Sequence, residues 1–567
     1  MRSTRRLDAS PSSCYLRAVK FLRLLLNSLI GGYVFSLLLA VLFIDLNINL
    51  VFRFDTLLKL SLLLMLIYGL LAALFCLAIS YIYRFISGKR TPVGFFSASF
   101  QTLSISILTL LFLIVFRENY TYFLSFFVPR IQLILRAQMM ALFVLAISGI
   151  VLQYQYHHRR PKRIFLVSFF ILAGAVLIFV LGQRMRYPAP SKAFRLGTLQ
   201  VKDTGRKVSV LCLEGLNPEL IISLAAEHKV PNFSWMMERG SWGRLEGFTP
   251  SEAYVLSHTF DTGKFPGKHR LISAETYHLP WLSEKLEVVP RFILFKQLRR
   301  IGLLKVMPQK ASPSAADIWK ICDEAGAAVV NLNRPRAASP TPTNPKTDKL
   351  FATFYKDFQN EASWMFNQVK EAFARDAEAE DEAFQAKSSA QPRLFSLTLG
   401  GLSTAEAYFY KYSFPEAFGD IRPDDIQKYG TVIEKYYQFY DQIIGKLLAS
   451  LKEDELCLVY GPTGMEPLPF WNRIVEWILG NAAVSSSHEQ APPGMVLFYG
   501  KGIVRGKNLD ALRIVDLAPT ILYYLGLPVG KDMDGVVRGS LFERDFTEEN
   551  PVLTISSYEE TRIEREK

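Results

Sequence analysis

The sequence predicts an N-terminal all-α transmembrane bundle of about five helices, followed by a C-terminal α/β domain with a largely parallel central sheet. Almost every long apolar run of the 567-residue chain lies before residue 184. The Lys and Arg residues of that part are concentrated in alternate loops. Beyond residue 206, continuous apolar strand runs alternate with helical stretches, a pattern typical of a parallel sheet covered by helices on both faces.

Five apolar runs are each long enough to cross the hydrocarbon core of a bilayer, which needs about 20 residues. The first run is too long for a removable signal peptide and lacks the small-residue cleavage site. We therefore expect a basic N-terminus over residues 1–20 and a five-helix transmembrane domain over residues 21–183. The spans are Phe21–Phe43, Leu60–Tyr83, Val93–Phe116, Ala137–Tyr154 and Ile164–Gln183.

Basic residues set the expected orientation of these spans. The N-terminus, the second loop and the fourth loop are rich in Lys and Arg, whereas the first and third loops hold few. Basic loops stay in the cytoplasm. The N-terminus is then cytoplasmic, and an odd number of spans places everything after Gln183 on the outer side of the membrane.

The third loop allows two interpretations. Residues Tyr120–Leu135 are apolar and aromatic but include Arg130, and Arg136 follows directly. The segment is either a helix lying in the membrane interface, with both arginines reaching lipid phosphates, or the start of a long fourth helix whose arginines extend to the interface.

The charge distribution argues against a nucleic-acid-binding protein, and the cysteine pattern argues against a disulfide-stabilised one. Residues 1–183 hold 18 Lys and Arg against four acidic residues, so they account for the whole net charge of +13. The rest of the chain is nearly neutral, which argues against binding DNA or RNA. The cysteines form no CxxC pair and are expected to be buried free thiols rather than a disulfide framework. They are Cys14, Cys76, Cys212, Cys322 and Cys457.

Beyond the spans, residues 184–206 are expected to form a linker, residues 207–545 the α/β domain, and residues 546–567 a charged, loosely held tail. Two segments, Arg334–Lys349 and Asp376–Gln391, interrupt the alternation and are expected to be exposed loops. The predicted strands are Lys207–Leu213, Ala327–Asn333, Leu394–Leu399, Leu456–Tyr460 and Met495–Tyr499. The predicted helices include Asn217–Ala226, Ala315–Ala325, Lys428–Leu451 and Ile514–Leu525.

The first predicted strand ends at Glu214, followed by Gly215 and a helix start. Ligands of α/β proteins collect at the carboxyl ends of strands. By pattern alone, Glu214 is either a functional carboxylate or part of a capped strand–helix turn.

Nine motifs of the soluble part occur in an order known from one enzyme family. They are Val208–Pro218, Val230–Phe233, Gly240–Arg244, Thr249–Pro250, Thr262–His269, Ala316–Trp319, Tyr437–Ile444, Asp516–Pro528 and Asp532–Gly535. In these motifs the soluble part resembles the type I phosphodiesterase/nucleotide pyrophosphatase family of the alkaline phosphatase superfamily. The likeness covers nearly all of residues 207–540, which implies an alkaline-phosphatase-like α/β fold.

The overall outline is also similar to bacterial phosphoethanolamine transferases and lipoteichoic-acid synthases, which have five spans before an extracytoplasmic domain of the same superfamily. This resemblance implies a bacterial cytoplasmic (inner) membrane protein with a periplasmic or extracellular C-terminal domain. It also implies a role in cell-envelope lipid or polysaccharide metabolism.

The resemblance further implies a site with two metal ions, usually zinc, that activate a Ser or Thr nucleophile and clamp the phosphoryl oxygens. The first ligand position, normally Asp, is Glu214 here. The nucleophile position, counted back from Thr262, is Ala253, which has no nucleophile. Ser251 would replace it only if the local spacing slips by two residues.

The remaining ligand positions are mostly replaced. A middle motif that normally supplies Asp and His has Ser403 and Ala407. The Asp-His-Gly motif after a late strand appears as Pro462 and Thr463 before Gly464. The last His position is kept as His488. Glu214 and His488 are therefore the only candidates for a residual metal site.

Two hypotheses follow. The first is a pseudoenzyme that has lost its metals and acts as a binding, scaffolding or regulatory subunit. Its expected partners are the lipid bilayer, a catalytic relative or another envelope-biosynthesis protein, or a phosphate-bearing or glycan ligand. The second is an active, zinc-dependent phosphodiesterase or phosphotransferase with a rearranged site. Its candidate groups are Glu214, Glu252, His258, Asp261, Glu406, Glu466 and His488. A transporter is disfavoured, because the spans hold almost no ionisable residues.

Overall fold

The computed structural model describes two compact units of the chain. The first, called the helical unit, comprises Met1–Pro190 and Ile272–Lys310; the second, called the α/β unit, comprises Ser191–Leu271 and Ala311–Lys567. The described residues are 11–87, 97–159, 163–188, 204–279, 281–291, 302–310, 313–332, 345–358, 360–419, 421–478, 482–489 and 492–559. Residues 272–310, which the sequence placed with the α/β domain, thus lie with the helices.

Among the described residues, five helices are long and apolar enough to cross a membrane, which agrees with the predicted number of spans. Four of them extend beyond the predicted apolar runs at both ends, because polar residues there continue the same backbone hydrogen bonds. The third begins at Ala98, later than the predicted Val93, and ends later, at Tyr122. The second span is interrupted by a π-turn at Met65–Gly69. The helices are Pro11–Leu46, Phe54–Leu64 continued by Leu70–Ser87, Ala98–Tyr122, Pro129–Arg159 and Arg163–Arg184.

The fourth span decides between the two interpretations of the third loop. Its helix begins at Pro129, after a short 3-10 turn at Leu124–Phe126, so Arg130 and Arg136 both lie on it. Arg136 donates a 2.7 Å hydrogen bond from Nε to the Tyr120 hydroxyl. The loop therefore has the geometry of a long fourth helix, and no separate interfacial helix occurs in Tyr120–Leu135.

The first two spans approach each other closely where both carry glycine. A Cβ atom added to Gly32 would lie 2.2 Å from the backbone oxygen of Gly69. Small residues allow such close helix contact in membrane proteins. The π-turn ends at Gly69, so the irregular backbone and the close approach coincide.

Two asparagines at helix ends hold the backbone of the 272–310 segment. Oδ1 of Asn47 accepts hydrogen bonds from the backbone N–H groups of Glu287 and Val288, and its amide donates to the Val288 oxygen. Asn119 accepts from the Arg291 N–H at 2.7 Å. A two-stranded ladder, Glu275–His278 with Lys305–Pro308, completes this segment. Such contacts between distant residues leave no periodic signal in the sequence.

The α/β unit is built on a seven-stranded sheet with the order β7-β2-β6-β5-β1-β4-β3. Every described neighbour pair is parallel except the two pairs made by β6. This confirms the α/β class with a mostly parallel sheet. The strands are β1 Lys207–Leu213, β2 Ser241–Glu246, β3 Val329–Leu332, β4 Leu394–Leu399, β5 Glu455–Thr463, β6 Pro493–Tyr499 and β7 Lys507–Arg513.

Strands β2 and β7 were missed by the sequence analysis, because neither is a continuous apolar run. In β2, buried and more exposed side chains alternate, and Arg244 and Glu246 point to solvent. In β7, only Leu509 and Leu512 are buried. Both strands lie at one edge of the sheet, where only one face is covered.

Helices cover both faces of the sheet, in two separate apolar clusters. The predicted helix Lys428–Leu451 is divided, since a break at Gly430 separates two helices. The helices are Pro218–Ala226, Pro231–Arg239, Ala253–Thr262, Pro266–His269, Ile318–Glu324, Pro345–Phe354, Trp364–Ala390, Gly401–Ser413, Pro423–Tyr429, Val432–Ser450, Phe470–Ile478, Leu517–Leu525 and Arg544–Glu549.

The expectation of an exposed loop at Asp376–Gln391 was wrong. The segment belongs to the helix Trp364–Ala390, and Asp376 and Glu380 are buried. Alanine, glutamate and lysine have high helix propensity, and the buried residues recur at helical spacing. For Arg334–Lys349, residues 334–344 lie outside the described part, and Pro345 begins a helix.

The expected loose tail is packed as far as Glu559. Strand Thr554–Ile555 pairs with Val529–Gly530, and Glu559 forms a salt bridge with the buried Lys264. Residues 560–567 lie outside the described part, as does most of the predicted linker. Four cysteines are buried and free, as predicted: Cys76, Cys212, Cys322 and Cys457. The side chain of Cys14 is not among those described.

A buried histidine makes the stability of the α/β unit depend on pH. The Nδ1 of His269 accepts from the Leu271 N–H, and its Nε2 lies 3.0 Å from Thr259 Oγ1. Burial, followed by the nearby His258, lowers the pKa of His269 to about 3. A pKa lowered on folding means that the unfolded chain binds the proton more tightly, so stability falls as pH drops below about 6.5.

We expect the His269→Gln variant to lose part of this pH dependence. The pKa difference makes the wild type about 2 kcal/mol less stable at pH 5 than at pH 7.5 through this residue. Denaturant unfolding of the full chain at both pH values measures it. His228→Asn is the control, because His228 is exposed and asparagine tolerates its positive φ of 57°. Equal pH dependence in wild type and His269→Gln would contradict the prediction.

Candidate functional site

The predicted site residues meet at the carboxyl edge of the central strands. Glu214 follows β1, Gly400 follows β4, and Thr463 ends β5. These strands are parallel neighbours, with Leu213 opposite Leu399 in the register. Parallel strands present their carboxyl ends at one edge, where ligands collect in α/β folds.

A hydrogen-bonded serine–histidine pair occupies this edge. The Ser403 Oγ lies 2.6 Å from Nε2 of His488. The other ring nitrogen, Nδ1, lies 2.8 Å from the backbone oxygen of Gly464 and 3.3 Å from the Thr463 hydroxyl. A carbonyl oxygen only accepts, so Nδ1 carries the proton and Nε2 accepts from the serine hydroxyl. Burial lowers the pKa of His488, which keeps the ring neutral at pH 7.

Local sequence positions both members of the pair. Ser403 lies in the first turn of the helix Gly401–Ser413, directly after β4. His488 follows Ser486–Ser487, which pair with Glu466–Pro467 as a short antiparallel ladder. Ser486 also donates to the backbone oxygen of Glu406, on the same helix as Ser403. The ladder therefore ties the histidine loop to that helix.

Glu214, at the end of β1, forms no salt bridge among the described residues. Its Oε2 would be 3.0 Å from a Cβ atom built on Gly400. Burial, followed by the charge on Asp376, raises the pKa of Glu214 to about 7. At neutral pH the carboxyl is thus divided between its charged and neutral forms.

Glu406 is the most isolated acid of the site. It is 1% exposed, and within the described residues its Oε2 has no hydrogen-bond partner. This oxygen would lie 2.4 Å from a Cβ on Gly215, whose φ of +96° also favours glycine. Burial raises the pKa of Glu406 well above its ordinary value, which favours the neutral form of the carboxyl.

Beneath the site, Asp376 fixes the turn that carries Ser403. It accepts hydrogen bonds from the Gly401 N–H and from the hydroxyls of Tyr436 and Tyr440. Tyr440 in turn accepts from the Leu402 N–H. Gly401 must be glycine, because a Cβ there would lie 1.8 Å from the Tyr436 hydroxyl. The sequence analysis missed Asp376. Its partners Tyr436 and Tyr440 are one helical turn apart, which places them on the same face of their helix.

The other site residues named from the sequence occupy structural positions in helices, strands and turns. Ala253 begins a helix, and Ser251, 8% exposed, donates to the Phe248 backbone oxygen. Asp261 accepts from the Trp319 indole at 2.8 Å and lies 3.7 Å from His258. The remaining positions are Glu252 before that helix, Ala407 on the Ser403 helix, Pro462 in β5 and Glu466 in the short ladder.

The donor set does not fit the two zinc ions that this kind of site holds. Zinc needs several converging carboxylate, imidazole or thiolate ligands, each with a free electron pair. Over the described ranges, no three His, Cys, Asp or Glu side chains converge in this way. Both ring nitrogens of His488 are already in hydrogen bonds. Coordination by His488 would require breaking the pair with Ser403.

Comparison with known proteins identifies the fold. The family model for type I phosphodiesterase/nucleotide pyrophosphatase matches residues 208–509. Among solved structures, murine ectonucleotide pyrophosphatase/phosphodiesterase 5 matches at 14% identity and a TM-score of 0.35, covering 60% of this chain and 100% of that chain. An inactive variant of the same murine protein in complex with AMP matches at 14% identity and a TM-score of 0.33, covering 57% and 95%. No match was found among curated proteins.

The family match spans more than half of the chain and contains β1 to β6 together with Ser403 and His488. It agrees with the motifs that the sequence analysis quoted and with the mostly parallel sheet. The chain therefore belongs to the type I phosphodiesterase/nucleotide pyrophosphatase family.

Proposed function

We propose that this chain is a membrane-anchored, phosphodiesterase-like pseudoenzyme with respect to the family's two-metal reaction. The observation that carries the proposal is the state of His488. His488 is the one His position kept from the family, and it forms hydrogen bonds to the Ser403 hydroxyl through Nε2 and to the Gly464 carbonyl through Nδ1. The neighbouring ligand positions are Ser403, Ala407, Pro462 and Thr463, which offer zinc no carboxylate or imidazole.

The five apolar helices support anchoring in a membrane. Together with the distribution of basic loops, they favour a cytoplasmic N-terminus and an α/β unit on the outer side of a bacterial cytoplasmic membrane. In that position the protein would act as a binding, scaffolding or regulatory subunit for cell-envelope lipid or polysaccharide metabolism. Its partner would be a catalytic relative or another envelope protein, and its ligand a phosphate-bearing molecule or a glycan.

Metal analysis of the purified full-length chain tests the loss of the two-metal reaction. We expect substoichiometric zinc after incubation with excess zinc and desalting. We also expect no hydrolysis of bis(p-nitrophenyl) phosphate above the buffer rate. The reason is that each lost ligand removes an electron pair that the metal requires.

A variant with restored ligands serves as the matched comparison. Together, Glu214→Asp, Ser403→Asp and Ala407→His restore the aspartate at the first ligand position and add one carboxylate and one imidazole, and they should raise zinc uptake. Near-stoichiometric zinc at two sites in the wild type, with turnover abolished by Glu214→Ala, would sink the proposal.

A further inference from the structure

The Ser403–His488 pair has the arrangement of an activated nucleophile. A neutral imidazole accepts the hydroxyl proton at 2.6 Å, and a third group, the Gly464 carbonyl, orients the ring. This is the nucleophile–base–orienter geometry of serine hydrolases, with a backbone carbonyl in place of the usual carboxylate. Neither Ser403 nor His488 is fully buried.

The surroundings select the kind of electrophile. Within the described ranges, Glu214, Glu406 and Asp376 form no salt bridge with Lys or Arg. Glu214 is partly charged at neutral pH, and this charge disfavours an anionic phosphodiester. An uncharged carbonyl avoids this repulsion. Ser403 also lies in the first turn of a 13-residue helix, whose N-terminal partial positive charge favours the negative charge that develops during attack.

We propose that Ser403 is the nucleophile of a metal-independent carboxylic-ester hydrolase or acyltransferase site, with His488 as its general base. This inference rests on the proposed loss of the metals, because zinc on His488 would remove the base. Gly215 borders this site, and a Cβ atom there would lie 2.4 Å from Glu406 Oε2 and 3.3 Å from the Ser403 backbone nitrogen, so the position has no room for a side chain.

The reaction balances without a metal or a redox partner. Oγ of Ser403 attacks the ester carbonyl carbon, and its proton passes to Nε2 of His488. The tetrahedral intermediate collapses as the ester C–O bond breaks, and the leaving alcohol takes the proton from Nε2. Water or an acceptor alcohol then gives its proton to Nε2 and attacks the acyl-serine. Collapse frees the acid or the new ester and returns the proton to Oγ.

Covalent labelling of the detergent-solubilised full chain in EDTA tests the inference. A fluorophosphonate probe is expected to modify Ser403, located by peptide mass mapping, and p-nitrophenyl butyrate is expected to be hydrolysed. Ser403→Ala should abolish the adduct and lower turnover by at least about 100-fold, and His488→Gln should slow both by a similar factor. Ser413→Ala, on the same helix with its hydroxyl bonded to the Gly430 oxygen, should change neither.

The adduct at Ser403 is measured on the wild-type protein, so misfolding of a variant does not affect that result. A folded wild type that shows no adduct at Ser403 overturns the inference, as does labelling at equal rate in a folded His488→Gln variant. Such a failure leaves the pseudoenzyme proposal standing. Zinc uptake with phosphodiester turnover would instead reject the pseudoenzyme proposal, and ester turnover that EDTA removes would reject this one.

Discussion

Replacing Asp516 by alanine is expected to destabilise the α/β unit by about 2–4 kcal/mol. Asp516 is fully buried and begins the longest family motif. Its carboxylate accepts hydrogen bonds from the Arg513 and Arg538 guanidinium groups and from the backbone N–H groups of Arg513 and Val536. Although burial opposes it, these hydrogen bonds, Arg513 first, hold the pKa of Asp516 below its ordinary value.

Denaturant unfolding of the full chain measures this loss. Asp516→Asn keeps the shape and some acceptors but removes the charge, so it should fall between wild type and Asp516→Ala. Asp510→Ala is the control, because Asp510 is exposed on the neighbouring strand and should change stability by less than about 0.5 kcal/mol. If Asp516→Ala unfolds like Asp510→Ala, the hydrogen-bond network does not stabilise this unit as argued.

The second large effect is expected in the helical unit, at Arg184. This residue is 4% exposed and donates to the backbone oxygens of Ile44, Asn47 and Leu50 at the end of the first span. Its Nε lies 3.8 Å from a carboxyl oxygen of the fully buried Asp45. Arg184→Leu leaves that acid and three carbonyl oxygens without their cation, which costs about 3–5 kcal/mol.

Thermal unfolding in detergent, followed by size-exclusion chromatography, measures the effect of Arg184→Leu. Arg186→Leu is the matched control, since Arg186 is exposed two residues further on. The double variant Arg184→Leu/Asp45→Leu should recover part of the loss, because the buried charge is then removed as well. Equal melting of Arg184→Leu and Arg186→Leu would show that the pair does not hold the first and last spans together.

The local sequence was sufficient to predict the helices and strands whose surroundings are the same along their whole length. Each span is apolar along its whole length, because lipid or other helices surround it, so hydropathy alone located all five. Strands β1 and β4 were predicted with their observed ends, because both are covered on two faces and read as continuous apolar runs. The edge strand β7 and its neighbour β2 lack that signal, and they were missed.

The candidate site was located, but not its chemistry. The resemblance assigned Glu214, Ser403, Thr463 and His488 to metal-ligand positions. In the structure Glu214 and Thr463 lie at the ends of neighbouring parallel strands, and His488 contacts Ser403 and Thr463. The sequence treated Ser403 only as a lost metal ligand, since no pattern links two residues that are 85 positions apart. The buried Asp376 was assigned to a loop, because its composition is polar and the tyrosines that satisfy it come from another helix.

By itself, then, the sequence determined the five apolar helices, the α/β class and the family, since these depend on local periodicity and on motifs. Only the tertiary structure decided that residues 272–310 lie with the helices, that Asp376 supports the Ser403 turn, and that His488 bonds to Ser403. The physical reason is the same in each case. Hydrogen bonds between distant residues depend on three-dimensional placement, and a single polar side chain carries no periodic signal of its partner.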